Sequence, residues 1–292
     1  MRRGILHAAA AYTLWGLFPL YFRAVREIAP LEITAHRVLW SLLFMLVVML
    51  ALRRWDWIGP ALRSPRVRWV FVGSATLLAV NWFIYVVAVT HGKVVEASLG
   101  YFINPLVNVL LGRLVLGERL RRGQWAAVAL ATAGVTWLTW HQGAPPWIAL
   151  SLAATFGTYG LLRKTAPLGA LEGLTLESLV LAPLAIAGLA WFGWQGQTGF
   201  QHADAPLQWL LIAAGPLTAI PLLLFGSAAR RIPLSLLGML QYIGPTLQLL
   251  LGVWLFGEAF GGARAQGFIV IWCACGVFSA DLWWHSRRPA SA

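Results

Sequence analysis

Residues 103–118 read INPLVNVLLGRLVLGE, and residues 243–258 read IGPTLQLLLGVWLFGE. Ile103 and Pro105 recur as Ile243 and Pro245, Leu111-Gly112 as Leu251-Gly252, and Gly117-Glu118 as Gly257-Glu258, always at an offset of 140 residues. Ala88 and Ala228 keep that offset in the preceding segments, and Trp15-Gly16 has a weaker echo in Tyr159-Gly160 at 144. Self-similarity at a fixed interval marks a duplicated unit. The chain therefore reads as two related halves, and hydropathy says what each half is.

Of the 292 residues 59% are hydrophobic and 11% are charged, with a mean hydropathy of +0.72. A soluble domain carries charge on about a quarter of its residues, so polar surface is too scarce here to coat a water-soluble body. Lipid must do the coating, and 17 Trp suit a chain that crosses two membrane interfaces. Ten segments approach the roughly 20 residues a helical span needs. They are 4–22, 31–52, 69–90, 95–116 and 125–140, then 147–162, 171–192, 207–228, 234–256 and 266–284. The turn Gly143-Ala144-Pro145-Pro146 separates the fifth from the sixth. This predicts an all-α integral membrane protein of ten helices, in two five-helix repeats at 1–143 and 144–292 within one membrane domain. Five is odd, so the second copy enters the membrane inverted. Inverted repeats place a substrate site near the midplane and permit alternating access.

Charge sets the orientation. Arg2, Arg3, Arg53, Arg54, Arg63, Arg66, Arg68, Arg119, Arg121, Arg122, Arg163, Lys164, Arg230, Arg231, Arg287 and Arg288 fall on one side, sixteen of the 22 basic residues. The other side has Arg23, Arg26, Lys93 and Arg264, while Arg37 and Arg113 fall within spans. The positive-inside rule puts both termini in the cytoplasm. The same clustering explains the net charge of +12 without nucleic acid, since the basic residues sit between apolar runs rather than along one polar face. The N-terminal run carries Trp15, Pro19 and Tyr21 and reads as an uncleaved first helix rather than a signal peptide. Cys273 and Cys275, one residue apart on a helix, point to different sides and suit neither a disulfide nor a metal pair.

The stretch from Glu96 to Asn108, reading EASLGYFINPLVN, resembles the signature of the RarD group, within the EamA family of the drug/metabolite transporter superfamily. His36-Arg37 followed by Trp40-Ser41, and Gln241-Tyr242-Ile243-Gly244-Pro245-Thr246, carry the same likeness, which extends over essentially the whole chain. The resemblance implies a ten-helix bacterial inner-membrane exporter with a central cavity lined by both halves. It implies as substrates small metabolites or drugs, including amino-acid-like or aromatic compounds, with a link to chloramphenicol sensitivity. It does not define the ligand.

Polar groups inside a bilayer are costly and usually face a bundle interior or a wet cavity. Tyr101, Asn104 and Asn108 share one helical face, and at the 140-residue offset so do Gln241, Gly244 and Gln248. These stripes line a central site, or they hydrogen-bond helix to helix. Pro105 and Pro245 each free an upstream carbonyl, near 101 and 241, for a ligand, or simply kink both halves alike. Tyr12 and Trp15, with Phe156 and Tyr159 as their echoes, offer rings for stacking or for core packing, and Asn81 and Tyr85 are weaker candidates. His36 and Arg37 lie about 6–8 Å along the axis beyond Glu32. Arg37 can hold a substrate carboxylate, pair with Glu32 or Glu96 as a gate, or serve the structure. Glu177, inside span seven, is either a coupling group for protons or cations, or a satisfied pair with a neighbouring helix. Glu118 and Glu258, just after glycine at helix ends, suit capping.

HExxH, GxSxG and GxxxxGK[ST] are absent from the sequence, and its six His are scattered. The reading is a transporter rather than an enzyme, with no metal and no cofactor expected. An uncoupled facilitator or channel is the alternative. Its partners are a small-molecule substrate and the lipid bilayer, with protons a candidate coupling ion and monomer and homodimer both left open.

Overall fold

The computed structural model describes residues 1–90, 94–141, 147–255 and 262–286, and among these the ordered elements are all helical. The first crossing is made of α1 (Arg2–Gly16) and α2 (Phe18–Ala24), and the second is α3 (Pro30–Leu52). After the short α4 (Ile58–Arg63) come α5 (Pro65–Thr90), α6 (Val94–Leu114) and α7 (Arg122–Trp140). The second half follows with α8 (Trp147–Thr165), α9 (Ala170–Trp194), the short α10 (Gly199–His202) and α11 (Ala205–Ala229). Its ninth crossing is split into α12 (Leu234–Gln241) and α13 (Ile243–Leu255), and the tenth is α14 (Gly262–Ser286). Among the described residues, seven crossings are long and apolar enough to span a bilayer by length and composition. The other three, α6, α7 and α8, have 21, 19 and 19 residues and carry Arg113, Arg122, Arg163 and Lys164 near their ends. The expected repeat boundary at 143/144 lies outside the described residues, as do Lys93, Glu258, Arg287 and Arg288 and the side chain of Glu96.

Helix pairing follows the duplicated order. The fifth crossing packs on the tenth (α7 on α14), the fourth on the ninth (α6 on α12), and the second on the seventh (α3 on α9). Exchanging each crossing for the one five later leaves these pairs unchanged. The same exchange turns α6·α8 into the packing of α12 and α13 on α1, α5·α8 into α11·α1, and α3·α11 into α9·α5. Without a hydrophobic drive between helices in lipid, close approach depends on small residues. A methyl on Gly134 of α7 would sit 3.0 Å from the Gly267 carbonyl of α14, so only glycine permits that contact.

The matched prolines do not bend both halves alike. α6 runs unbroken through Pro105, whereas the ninth crossing breaks at Tyr242, three residues before Pro245. The first crossing also breaks, at Leu17, where a continuous helix was expected. Pro19 has no N–H, so the Trp15 carbonyl lacks its normal helical donor. A backbone N–H at the helix end still reaches it, and Gln248 Nε2 of the ninth crossing also donates to it, at 3.3 Å.

Several basic residues assigned to loops by their sequence are bound at helix ends. Arg163, expected in a connection, lies in the last turn of α8 and is 2% exposed. Lys164 Nζ donates to Ala229 O at 3.0 Å and Ile232 O at 2.6 Å, and Arg230 Nη1 donates to Ala166 O and Leu168 O. Cations placed on the free carbonyls of helix C-termini satisfy both partners. The mirror case is Glu118, which accepts from Leu234 N at 2.6 Å, Ser235 N at 3.0 Å and Ser235 Oγ at 2.7 Å, capping α12. Glu118→Ala leaves those donors open and is expected to cost about 2 kcal/mol. A thermal melt in detergent should fall by several degrees, with Glu118→Gln in between; an unchanged melt contradicts the capping role.

Candidate functional site

Five rings contributed by α1, α8 and α11 pack together at the centre of the bundle. Trp15 lies 5.8 Å from Tyr12, 5.7 Å from Phe156 and 5.7 Å from Phe225, centroid to centroid. Tyr159 stacks on Phe225 at 5.9 Å with its plane tilted by only 12°. Tyr12 and Tyr159 are fully enclosed, while Trp15 and Phe156 are only half-buried. Tyr12, Trp15 and Tyr159, picked out by sequence, are thus brought together, with Phe225 joining from a helix where no motif marked it. The first two are one turn apart on α1, so the cluster forms a floor with a more open side beyond Trp15.

The two polar stripes also meet. Asn108 Nδ2 donates to Gln241 Oε1 at 3.2 Å, and both residues are buried. Gly238 makes this possible: a methyl there would sit 2.7 Å from Pro105 O, so α12 can lie directly against α6. Asn104 is 2% exposed, and its Oδ1 accepts no hydrogen bond among the described residues. Asn81 lies elsewhere, tying α5 to α8 through Leu152 O at 2.9 Å and Thr155 Oγ1 at 2.8 Å. Asn108, Gln241, Gln248 and Asn81 therefore all serve helix–helix hydrogen bonds.

Arg37 faces the bundle from α3. Its Cζ lies 4.8 Å from the Trp82 ring centre and 5.8 Å from each of Phe18 and Phe22, and its Nε donates to Thr218 Oγ1 at 3.0 Å. Helices α2, α3, α5 and α11 thus close around one guanidinium. Tyr21, Tyr85 and Tyr101 are the phenols near enough to interact with it electrostatically. Tyr85 and Tyr101 pair edge-on at 6.3 Å. Tyr101 is 38% exposed. The gate pairing of Arg37 with Glu32 does not form. Glu32 instead accepts from Gly199 N at 2.9 Å and Phe200 N at 3.0 Å. His36 belongs to that tie: Nε2 lies 3.8 Å from Glu32 Oε1, Nδ1 accepts from Trp40 Nε1 at 3.2 Å, and the ring lies on Phe200.

Glu177 sits on α9 exactly where Arg37 sits on α3, at the same 140-residue offset. It is wholly buried and fully engaged. Ser74 Oγ donates to Oε1 at 2.6 Å, Tyr159 OH to Oε2 at 3.3 Å, and Arg163 Nη1 approaches Oε1 at 3.5 Å. Arg163 also donates from Nη2 to Ala170 O and stands over Phe71. The satisfied-pair reading describes this geometry, and Arg163 is its partner. Sequence gave no hint of it, because a basic residue ending a helix looks like any other cytoplasmic charge. Away from these sites, an apolar groove is formed by Trp125, Thr132, Trp137 and neighbours of α7 alone. No group of three metal-ligating residues occurs among the described residues.

Comparison with known proteins now gives the lineage. The EamA-like transporter family matches residues 2–140. An uncharacterized transporter of Pseudomonas aeruginosa is 47% identical over 290 residues, covering 99% of this chain and 97% of its own. Protein RarD of Streptomyces exfoliatus is 46% identical, covering 98% and 91%. The chain belongs to the EamA family, in its RarD group. A solved crystal structure 24% identical, with a TM-score of 0.72 over 94% of this chain and 97% of its own, shares the fold of this EamA protein. The EamA chain is therefore a multi-pass membrane transporter for a small-molecule substrate.

Because Arg163 and Glu177 are both buried, removing one leaves the other charged and unpaired. Glu177→Met is expected to destabilise this EamA protein by about 3–5 kcal/mol. The double variant Arg163→Met with Glu177→Met should recover most of that loss in detergent melts. Equal melts for the single and double variants contradict the pairing.

Proposed function

We propose that the chain is a secondary transporter that exports small, partly apolar metabolites or drugs by alternating access between two inverted halves, 1–143 and 144–292. It sits in the bacterial inner membrane with both termini in the cytoplasm. The observation that carries this reading is the convergence of α2, α3 and α5 from one half with α11 from the other around Arg37. Sites between repeats change access when one repeat rocks against the other. The exchange-related helix pairing and a family match that ends at residue 140 support the division into halves. Orientation is supported by the basic clusters, and export by family likeness.

One observation favours the facilitator variant, in which transport is uncoupled. Glu177 is held by Arg163, Ser74 and Tyr159, which leaves it poorly placed to carry a proton. No enzyme chemistry is supported by the residues gathered here.

The test is flux in proteoliposomes with a panel of amino acids, aromatic metabolites and chloramphenicol, with and without a pH gradient. Saturable flux that falls about tenfold or more in Trp82→Ala is expected, as loss of a buried aromatic contact implies. Indifference to the pH gradient supports the facilitator, and a response restores coupling. Folded protein that moves nothing across the panel overturns the transporter mechanism proposed here.

A further inference from the structure

Arg37 and Glu177 occupy equivalent places in the two halves, yet among the described residues only Glu177 has an ion-pair partner. Glu177 has Arg163. Around Arg37, no carboxylate lies within 4.0 Å among the described residues. Glu32, five residues before Arg37 on the same helix, is already engaged by the turn at 199–200. Aromatic faces ease the burial of a cation but bring no countercharge. An intramembrane cation without an anion is costly to keep, and such residues are retained where a ligand supplies what is missing.

The donors that Arg37 leaves unused are specific in shape. Thr218 occupies Nε, and among the described residues Nη1 and Nη2 make no hydrogen bond. These two nitrogens form a fork that fits the two oxygens of a carboxylate. The Tyr21 hydroxyl, close enough to interact with Arg37, is buried with no hydrogen-bond partner among the described residues. It can donate to the same anion. Phe18, Phe22 and Trp82 beside the guanidinium offer an apolar wall. With one cation and no free carboxylate beside it among the described residues, the site matches a single negative charge and offers an ammonium group no acceptor.

We propose that the Arg37 site binds a small carboxylate monoanion with an apolar or aromatic body and no ammonium group. This rests on the transporter reading above and names the substrate class of the same site.

Benzoate is the probe, compared with benzamide, phenylalanine and phthalate, each titrated against the purified full chain in nanodiscs by calorimetry. Benzoate should bind at least about tenfold more tightly than the neutral amide, the zwitterion or the dianion, as expected for a charge-assisted fork. This ranking needs no variant. Arg37→Lys should weaken benzoate partly and Arg37→Met by about tenfold or more, in protein shown to be monodisperse with a wild-type melt. Failure of benzoate to bind, or equal affinity for benzamide, overturns the proposal. So does benzoate binding that is unchanged in Arg37→Met. Flux of another solute that ignores Arg37→Met overturns the proposal but leaves the transporter reading intact. Benzoate that binds in this pattern, from folded protein that moves neither benzoate nor any solute of the flux panel, upholds the site and overturns the transporter mechanism.

Discussion

A charge inside a bilayer needs a partner, because neither water nor lipid tails supply one. This chain keeps two such charges at equivalent depths, Glu177 about 10 Å into α9 and Arg37 about 10 Å into α3, by helical rise from the helix starts. Around Glu177, the protein completes the set with Arg163, Ser74 and Tyr159, welding α5, α8 and α9 together. Around Arg37 it supplies rings and a hydroxyl, and no anion among the described residues. The duplicated fold thus has one intramembrane charge paired by its own side chains and one that, in the proposal above, a ligand pairs.

Tyr159 touches both the Glu177 network and Phe225, and Phe225 touches Trp15, two residues before the helix break that leads to Phe18. Displacing the Arg163–Glu177 pair would therefore be felt by this ring cluster. The break at Leu17 bears on the Arg37 site. It lets α2 turn its aromatic residues toward Arg37, while Gln248 adds a donor to the Trp15 carbonyl at the break. Packed elements with two discrete arrangements are what a rocking mechanism requires.

The helices were legible from sequence because hydropathy depends only on local composition, and the duplication because INPLVNVLLGRLVLGE and IGPTLQLLLGVWLFGE survive as strings. The meeting of Asn108 with Gln241 was foreshadowed by their matched faces, although not that they would bond to each other. Arg163 was misread because its partner lies 14 residues away on the next helix, and position at a helix end says nothing of burial. The cage around Arg37 escaped for another reason. Trp82 is chemically indistinguishable from Trp140 and Trp194, which are 81% and 80% exposed, until tertiary packing turns it inward. The offset that equates Arg37 with Glu177 was present in the numbering, yet the opposite charges hid the equivalence.

The account's central claim is that a site between the halves is open to one face at a time. Counterflow tests it most directly: proteoliposomes preloaded with an unlabelled solute that saturates the protein are diluted into a trace of the same solute, labelled. Alternating access predicts that the label rises transiently above its equilibrium level inside, because outward movement of unlabelled solute returns the site to the outer face. Monotonic equilibration with no overshoot, from protein that otherwise conducts the solute, would contradict it and identify a channel.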